Sequence, residues 1–259
     1  MTRVALVTGG TRGIGKAIAL RFARDGAHVA INYSRSKEHA DATVAELRSC
    51  GVRAEAIQCD VGDREAVVAM VEQAAERFGS IDVLVNSAAR GLERPRAAID
   101  SLPKHLRHTM DVNVFGPWQA VQAAVPLMEG RGGGSVVNLL SPGAWTYMPD
   151  YSAVAVSKAA LASLTRYLAV ELAPRGIRVN AVSAGWVEAS EGEHSYRHSV
   201  SDAVRPHVPA GRNVRPEDVA AAVAWIASDE APMLVGETVH LDGGFGLAAW
   251  TSILAPPAP

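Results

Sequence analysis

The chain has 259 residues, 48% of them hydrophobic and 20% charged, with a formal net charge of −2, so it can bury a large core within one domain and requires no second. The near-neutral balance lacks the basic footprint of a nucleic-acid or anionic-membrane binder. No apolar run approaches the roughly 18 residues of a bilayer span, and Cys50 and Cys59, the two cysteines, fit neither a metal spacing nor a disulfide framework.

From the N-terminus, Val4-Ala5-Leu6-Val7-Thr8 has the look of a short buried parallel strand. Gly9-Gly10-Thr11-Arg12-Gly13-Ile14-Gly15 follows directly, before a helical pattern from Lys16 to Arg24. Glycines at 9, 13 and 15 let the backbone approach a pyrophosphate closely. They also aim the unpaired N–H groups and the positive end of the helix at the phosphates. Further strands are expected near residues 28–33, 53–59, 81–86, 135–140, 177–183 and 237–241, with helices between them. That alternation predicts an α/β fold with a single doubly wound parallel sheet, helices on both faces, and ligands at the carboxyl ends of the strands.

The second strand ends Ile31-Asn32-Tyr33 without the carboxylate that would bind a free ribose 2′-hydroxyl. Arg12 in the glycine turn and Arg35 just past the strand are suited to a 2′-phosphate, so NADPH is the expected cofactor. Arg90, Arg94 and Arg96 follow the fourth strand and suit an acidic carrier protein or a coenzyme A phosphate, although a solvated loop fits them slightly better. The segment 188–212 is polar and weakly periodic, as expected of a mobile lid. His194 and His198 within it lack a third ligand and are expected at the surface. Residues 1–250 then form one catalytic domain, and 251–259 a short tail.

The run Asp150-Tyr151-Ser152-Ala153-Val154-Ala155-Val156-Ser157-Lys158 sets a tyrosine and a lysine seven positions apart at the start of a predicted helix. On a helix these side chains share one face, roughly 10.5 Å apart along the axis, where a four-residue step would give about 6 Å. The longer reach suits a tyrosine that polarises an oxygen remote from the carbon receiving a hydride, as in an enone-type acceptor.

The T-G-G-x-x-G-I-G form of residues 8–15 resembles the short-chain dehydrogenase/reductase superfamily. Asn86-Ser87-Ala88-Ala89, Asn113, Ser141, Val179 to Gly185 and Leu241-Asp242-Gly243-Gly244 resemble its later signatures, in order. The superfamily's usual pair is Tyr-x-x-x-Lys, but position 154 is valine. Tyr-x6-Lys, Asn32 to Lys37 and Ser157 to Leu172 resemble the third, short-chain type of enoyl-acyl-carrier-protein reductase.

That resemblance implies reduction of a trans-2-enoyl thioester of acyl carrier protein or coenzyme A in fatty acid or related acyl biosynthesis. Tyr151 would be the oxygen-polarising donor, Lys158 would hold the ribose, and Ser141 and Asn113 would complete the polar site. Gly9, Thr11, Arg12, Gly13, Ile14, Gly15, Arg35, Asp60, Val61, Asn86, Gly185 and Val187 would hold the cofactor. Tyr147 would line the acyl pocket or pack against Trp145. Ala189 stands where a threonine commonly touches the cofactor phosphate. A cytoplasmic homotetramer, assembled through helices at about 103–129 and 151–173, completes the expectation. The alternatives are a 3-ketoacyl or other carbonyl reductase of the same superfamily and a dinucleotide-binding regulator without turnover.

Overall fold

The computed structural model describes residues 2–91, 96–188 and 195–250. Seven parallel strands form one sheet: β1 (Val4–Val7), β2 (His28–Tyr33), β3 (Ala54–Gln58), β4 (Val83–Asn86), β5 (Gly134–Leu140), β6 (Ile177–Ala184) and β7 (Thr238–Leu241). Their order is β3-β2-β1-β4-β5-β6-β7. The winding runs outward from β1 to β3, returns to β4 beside β1, and continues the other way. A crevice therefore opens between the carboxyl ends of β1 and β4, where such sheets hold ligands.

The strands read as continuous apolar runs because helices cover both faces. On one side α1 (Gly13–Arg24), α2 (Lys37–Ser49) and α8 (Pro216–Ala227) bury Ile18, Phe22, Leu47, Val223 and Ile226 against Val7, Val29 and Val85. On the other, α3 (Arg64–Phe78), α5 (Gly116–Glu129) and α6 (Ser152–Leu172) bury Met70, Val121, Met128 and Leu168 against Leu6, Leu84 and Val136. Each such side chain contributes about 1.5–3 kcal/mol of transfer free energy. The remaining helices are α4 (Pro103–Met110) and α7 (Ser195–Val204).

Two sequence expectations change here. The helix expected at about 103–129 is divided: α4 gives way to a π-helical turn at Asp111–Phe115 before α5 begins. Just after that turn Gly116 packs so closely that a Cβ there would collide with the carbonyl of Val61. The second change concerns α6. Residues Ser152–Arg175 reach a mean hydropathy of 1.3, long and apolar enough by composition to cross a membrane, against the expectation that no stretch approaches that length. Its inner residues Leu161, Leu168 and Leu172 are buried in the fold, while Tyr167 and Val170 on its outer side are exposed.

Candidate active site

Sterics dictate the turn after β1. Gly9 and Gly13 adopt φ of 66° and 51°, a region that favours glycine. A Cβ on Gly9 would stand 2.9 Å from Ala88 Cα, and one on Gly15 would collide with the carbonyl of Gly9. The backbone is thus folded on itself more tightly than any side chain allows. No described side chain caps the N-terminus of α1, and its first turn carries no acid. Tight glycine backbone, uncapped N–H groups and Arg12 at the entry fit an anionic pyrophosphate.

Two buried side chains hold this turn. Thr8 Oγ1 accepts from the N–H groups of Ser87 and Ala88, both at 3.0 Å. Asn32 Oδ1 accepts from the N–H of Gly9 at 2.7 Å, and its Nδ2 donates to the carbonyl of Cys59 at 2.8 Å. Asn32 therefore faces inward, whereas Tyr33 is half-buried and Ser34 and Arg35 are exposed. A buried asparagine in an otherwise apolar strand was the available signal for this clamp. Asp60 Oδ1 accepts from the N–H of Gly62 at 3.0 Å and so shapes the turn after β3. The cap of α3, which Asp60 might have supplied, is Asp63, accepting from Glu65 and Ala66. Val61 closes the same turn against Gly116.

At the centre of the sheet, Asn86 Nδ2 donates to Asn138 Oδ1 at 2.8 Å, and Asn138 Nδ2 donates to Thr165 Oγ1 at 2.9 Å. Asn113 sits fully buried in the π turn. Its Oδ1 accepts from the N–H of Arg90 at 2.7 Å, while its Nδ2 donates to the carbonyl of Arg90 and to Ser157 Oγ.

Ser141 follows β5, and its Oγ is buried without a hydrogen bond among the described residues. Lys158 lies two turns into α6, buried, with Nζ donating to the carbonyl of Leu139 at 2.7 Å. Burial pushes its ammonium down to about 8. Val154, four residues before it, is also buried. Tyr151 departs from the expected geometry. It lies outside the helical turns, as the N-cap of α6 with φ −109° and ψ 10°, so the on-helix spacing argument does not apply to it. Its carbonyl accepts from Ala155 N–H at 2.9 Å to open the helix.

Tyr147 is 89% exposed, and the Trp145 ring meets His240 edge-on at 4.8 Å. Gly185 donates its N–H to the carbonyl of Leu241 at 2.7 Å, and Val187 bridges Val214. Arg35 and Arg96 are exposed. Arg94, Ala189 and His194 lie outside the described residues, as does the tail from 251. Within the expected lid, α7 is tied down where Asn213 Nδ2 donates to the carbonyl and Oγ of Ser201, both at 2.8 Å.

Thr8, Asn32, Asn138, Ser157 and Thr165 were not singled out from the sequence, although Ser157 adjoins Lys158. Residues 9–246 match a family described as Enoyl-(Acyl carrier protein) reductase. The chain belongs to the short-chain dehydrogenase/reductase family. It is 38% identical over 244 residues to the 3-oxoacyl-[acyl-carrier-protein] reductase FabG of Staphylococcus aureus, covering 94% of this chain and 98% of that one. Its fold is similar to acetoin dehydrogenase YohF from Salmonella typhimurium, with TM-score 0.87, 34% identity and coverage of 96% and 97%. It is also similar to a 3-ketoacyl-(acyl-carrier-protein) reductase from Brucella melitensis complexed with NADH, with TM-score 0.85, 32% identity and coverage of 94% and 98%. The chain is thus an oxidoreductase of this family.

Proposed function

We propose that this protein is an NADPH-dependent reductase of trans-2-enoyl thioesters, with Tyr151 as the donor to the thioester carbonyl. The observation that carries the reading is the pair Val154 and Tyr151. The position four before Lys158 holds a buried isopropyl group, and the phenol stands three residues earlier, at the entrance of α6.

Gly9, Thr11, Arg12, Gly13, Ile14 and Gly15 would hold the pyrophosphate, with Asp60 and Val61 at the adenine. Asn86, Gly185 and Val187 would flank the nicotinamide. Arg12 and Arg35 would pair with the 2′-phosphate, because Asn32, the polar residue ending the buried part of β2, is committed to Gly9 and Cys59. The dinucleotide supplies a hydride. Tyr151 donates a hydrogen bond to the thioester oxygen and stabilises the negative charge that develops there when the β-carbon is reduced. Lys158 binds the ribose hydroxyls, and burial holds its ammonium down at about 8. Asn113 anchors the backbone at Arg90 and, through Ser157, the helix that carries Lys158. Ser141 adds a second hydroxyl to the site.

The segment 188–212 would close over the acyl chain, and Arg90, Arg94 and Arg96 would meet an acyl carrier protein. Phe115, Trp118, Val156, Tyr167 and Val170 are exposed along α5 and α6 and in the π turn before α5, which supports assembly of a homotetramer through these helices.

The relatives of named activity favour a second reading. The Staphylococcus aureus and Brucella melitensis proteins are reductases of 3-oxoacyl groups, which supports carbonyl reduction over enoyl reduction, and the unpartnered Ser141 hydroxyl suits a carbonyl acceptor. The position of Tyr151 relative to Val154 weighs the other way. The test is NADPH oxidation with a trans-2-enoyl thioester and, in parallel, a 3-oxoacyl thioester of equal length. Turnover of the enoyl substrate alone supports the first reading; turnover of the oxo substrate alone establishes the second. Dinucleotide binding with neither turnover identifies a binder and overturns both.

A further inference from the structure

We infer that Gly143 and the left-handed backbone of Asp150 are positioning residues that set the Tyr151 phenol; this rests on the role given to Tyr151 above. Among the described residues, Asp150 is the one non-glycine residue with positive φ, at 59°. Backbone strain of this kind persists where surrounding structure enforces it, and it clusters at functional positions. Here it sits immediately before the tyrosine, and the Asp150 carbonyl accepts from the N–H of Arg96 at 3.5 Å, on the loop that follows β4.

The second observation is independent. A Cβ built on Gly143 would lie 2.9 Å from Cδ1 and 3.0 Å from Cε1 of the Tyr151 ring, and 3.2 Å from Ala155 Cβ. The Cδ1–Cε1 side of the ring therefore lies against bare backbone two residues after Ser141. Gly143 has no positive φ to explain it, so the space it leaves is what the glycine provides. A tyrosine on the helix four residues before Lys158 would need neither feature. A tyrosine at the helix entrance needs both: a backbone reversal to turn the side chain back towards the loop after β5, and room at Gly143 for its ring.

The test is a double-mutant cycle on the full chain, using whichever thioester the wild type turns over. Gly143→Ala is expected to lower kcat about tenfold or more, because a displacement near 1 Å at a reacting group costs up to about a hundredfold. The NADPH dissociation constant should stay within about threefold, since cofactor contacts lie elsewhere. In the Tyr151→Phe background, Gly143→Ala should add no further loss, as residues acting through one group are non-additive. Wild-type kcat in Gly143→Ala, or a loss that adds in full to that of Tyr151→Phe, overturns the inference. Wild-type activity in Tyr151→Phe overturns the underlying reading instead.

Should Gly143→Ala fail to fold, Asp150 carries the test. Asp150→Val places a β-branched residue at φ 59° and should lose more kcat than Asp150→Gly, which adopts that conformation freely; equal losses overturn the inference. If neither thioester is turned over, acetylation of Tyr151 by N-acetylimidazole, read by peptide mass spectrometry, replaces kcat. An unchanged rate in Gly143→Ala overturns the inference, and a changed rate supports it.

Discussion

Asn113 Nδ2 donates to Ser157 Oγ at 3.0 Å, so the π turn before α5 and the helix that carries Lys158 share one buried hydrogen bond. Ser157 Oγ also donates to the carbonyl of Val154 at 2.7 Å. Ser157→Ala removes both and leaves part of the Asn113 amide unsatisfied. A loss of about 1–3 kcal/mol in urea unfolding is expected. Asn113→Ala, which also frees the backbone of Arg90, should cost more.

The Asn86–Asn138–Thr165 chain makes a parallel prediction about the centre of the sheet. Thr165→Val preserves shape but strands Asn138 Nδ2 in the core, and should destabilise by about 1–3 kcal/mol. Thr165→Ser keeps the acceptor and should lose less, leaving only a small cavity. Urea titrations of the three proteins at one pH decide the ordering; a valine variant as stable as the serine variant contradicts it.

Lys158 predicts a pH dependence whose sign follows from burial. Its pKa falls from 10.5 to about 8 on folding. Below pH 8 both states carry the proton, and the folded state bears the full cost of the buried charge, on the order of 3 kcal/mol. Between pH 8 and 10.5 the unfolded chain binds more protons, so stability rises with pH across that window. Other groups titrate there too, so the observable is the difference between wild type and Lys158→Met. That difference should shift in favour of wild type from pH 8 to 10.5. A flat difference contradicts the desolvated ammonium.

Cofactor choice is tested at Arg12 and Arg35. Removing a cation that pairs with a phosphate costs about 1.5–3 kcal/mol, or roughly tenfold to a hundredfold. Arg12→Ala and Arg35→Ala should each raise KM for NADPH by that factor and leave KM for NADH little changed. Equal effects on both dinucleotides contradict a 2′-phosphate contact.

Much of the fold was legible because buried parallel strands read as short apolar runs: Val4–Val7 and Val83–Asn86 are bounded by glycine or polar residues and separated by helical periods. The glycine turn was legible because its spacing encodes a backbone approach that no side chain tolerates. The local geometry at Tyr151 was not. A seven-residue step implies a shared helix face only if both residues are helical, and the left-handed Asp150 that ends the preceding loop is marked only by the turn chemistry of Pro149-Asp150. The π turn at Asp111–Phe115 was not legible either, and the close approach of Gly116 to the Val61 carbonyl beside it spans 55 positions in sequence. The pairing of Trp145 with His240 rests on β7 lying beside β6, which local sequence does not specify.

The central claim is that Tyr151, and no residue at position 154, activates the acceptor. The most direct measurement is kcat for Tyr151→Phe with each thioester, alongside its dissociation constant for NADPH. The account predicts a fall of about a hundredfold to a thousandfold in kcat, as for loss of one oxyanion donor, with NADPH binding essentially intact. A Tyr151→Phe enzyme that turns over at the wild-type rate would contradict it.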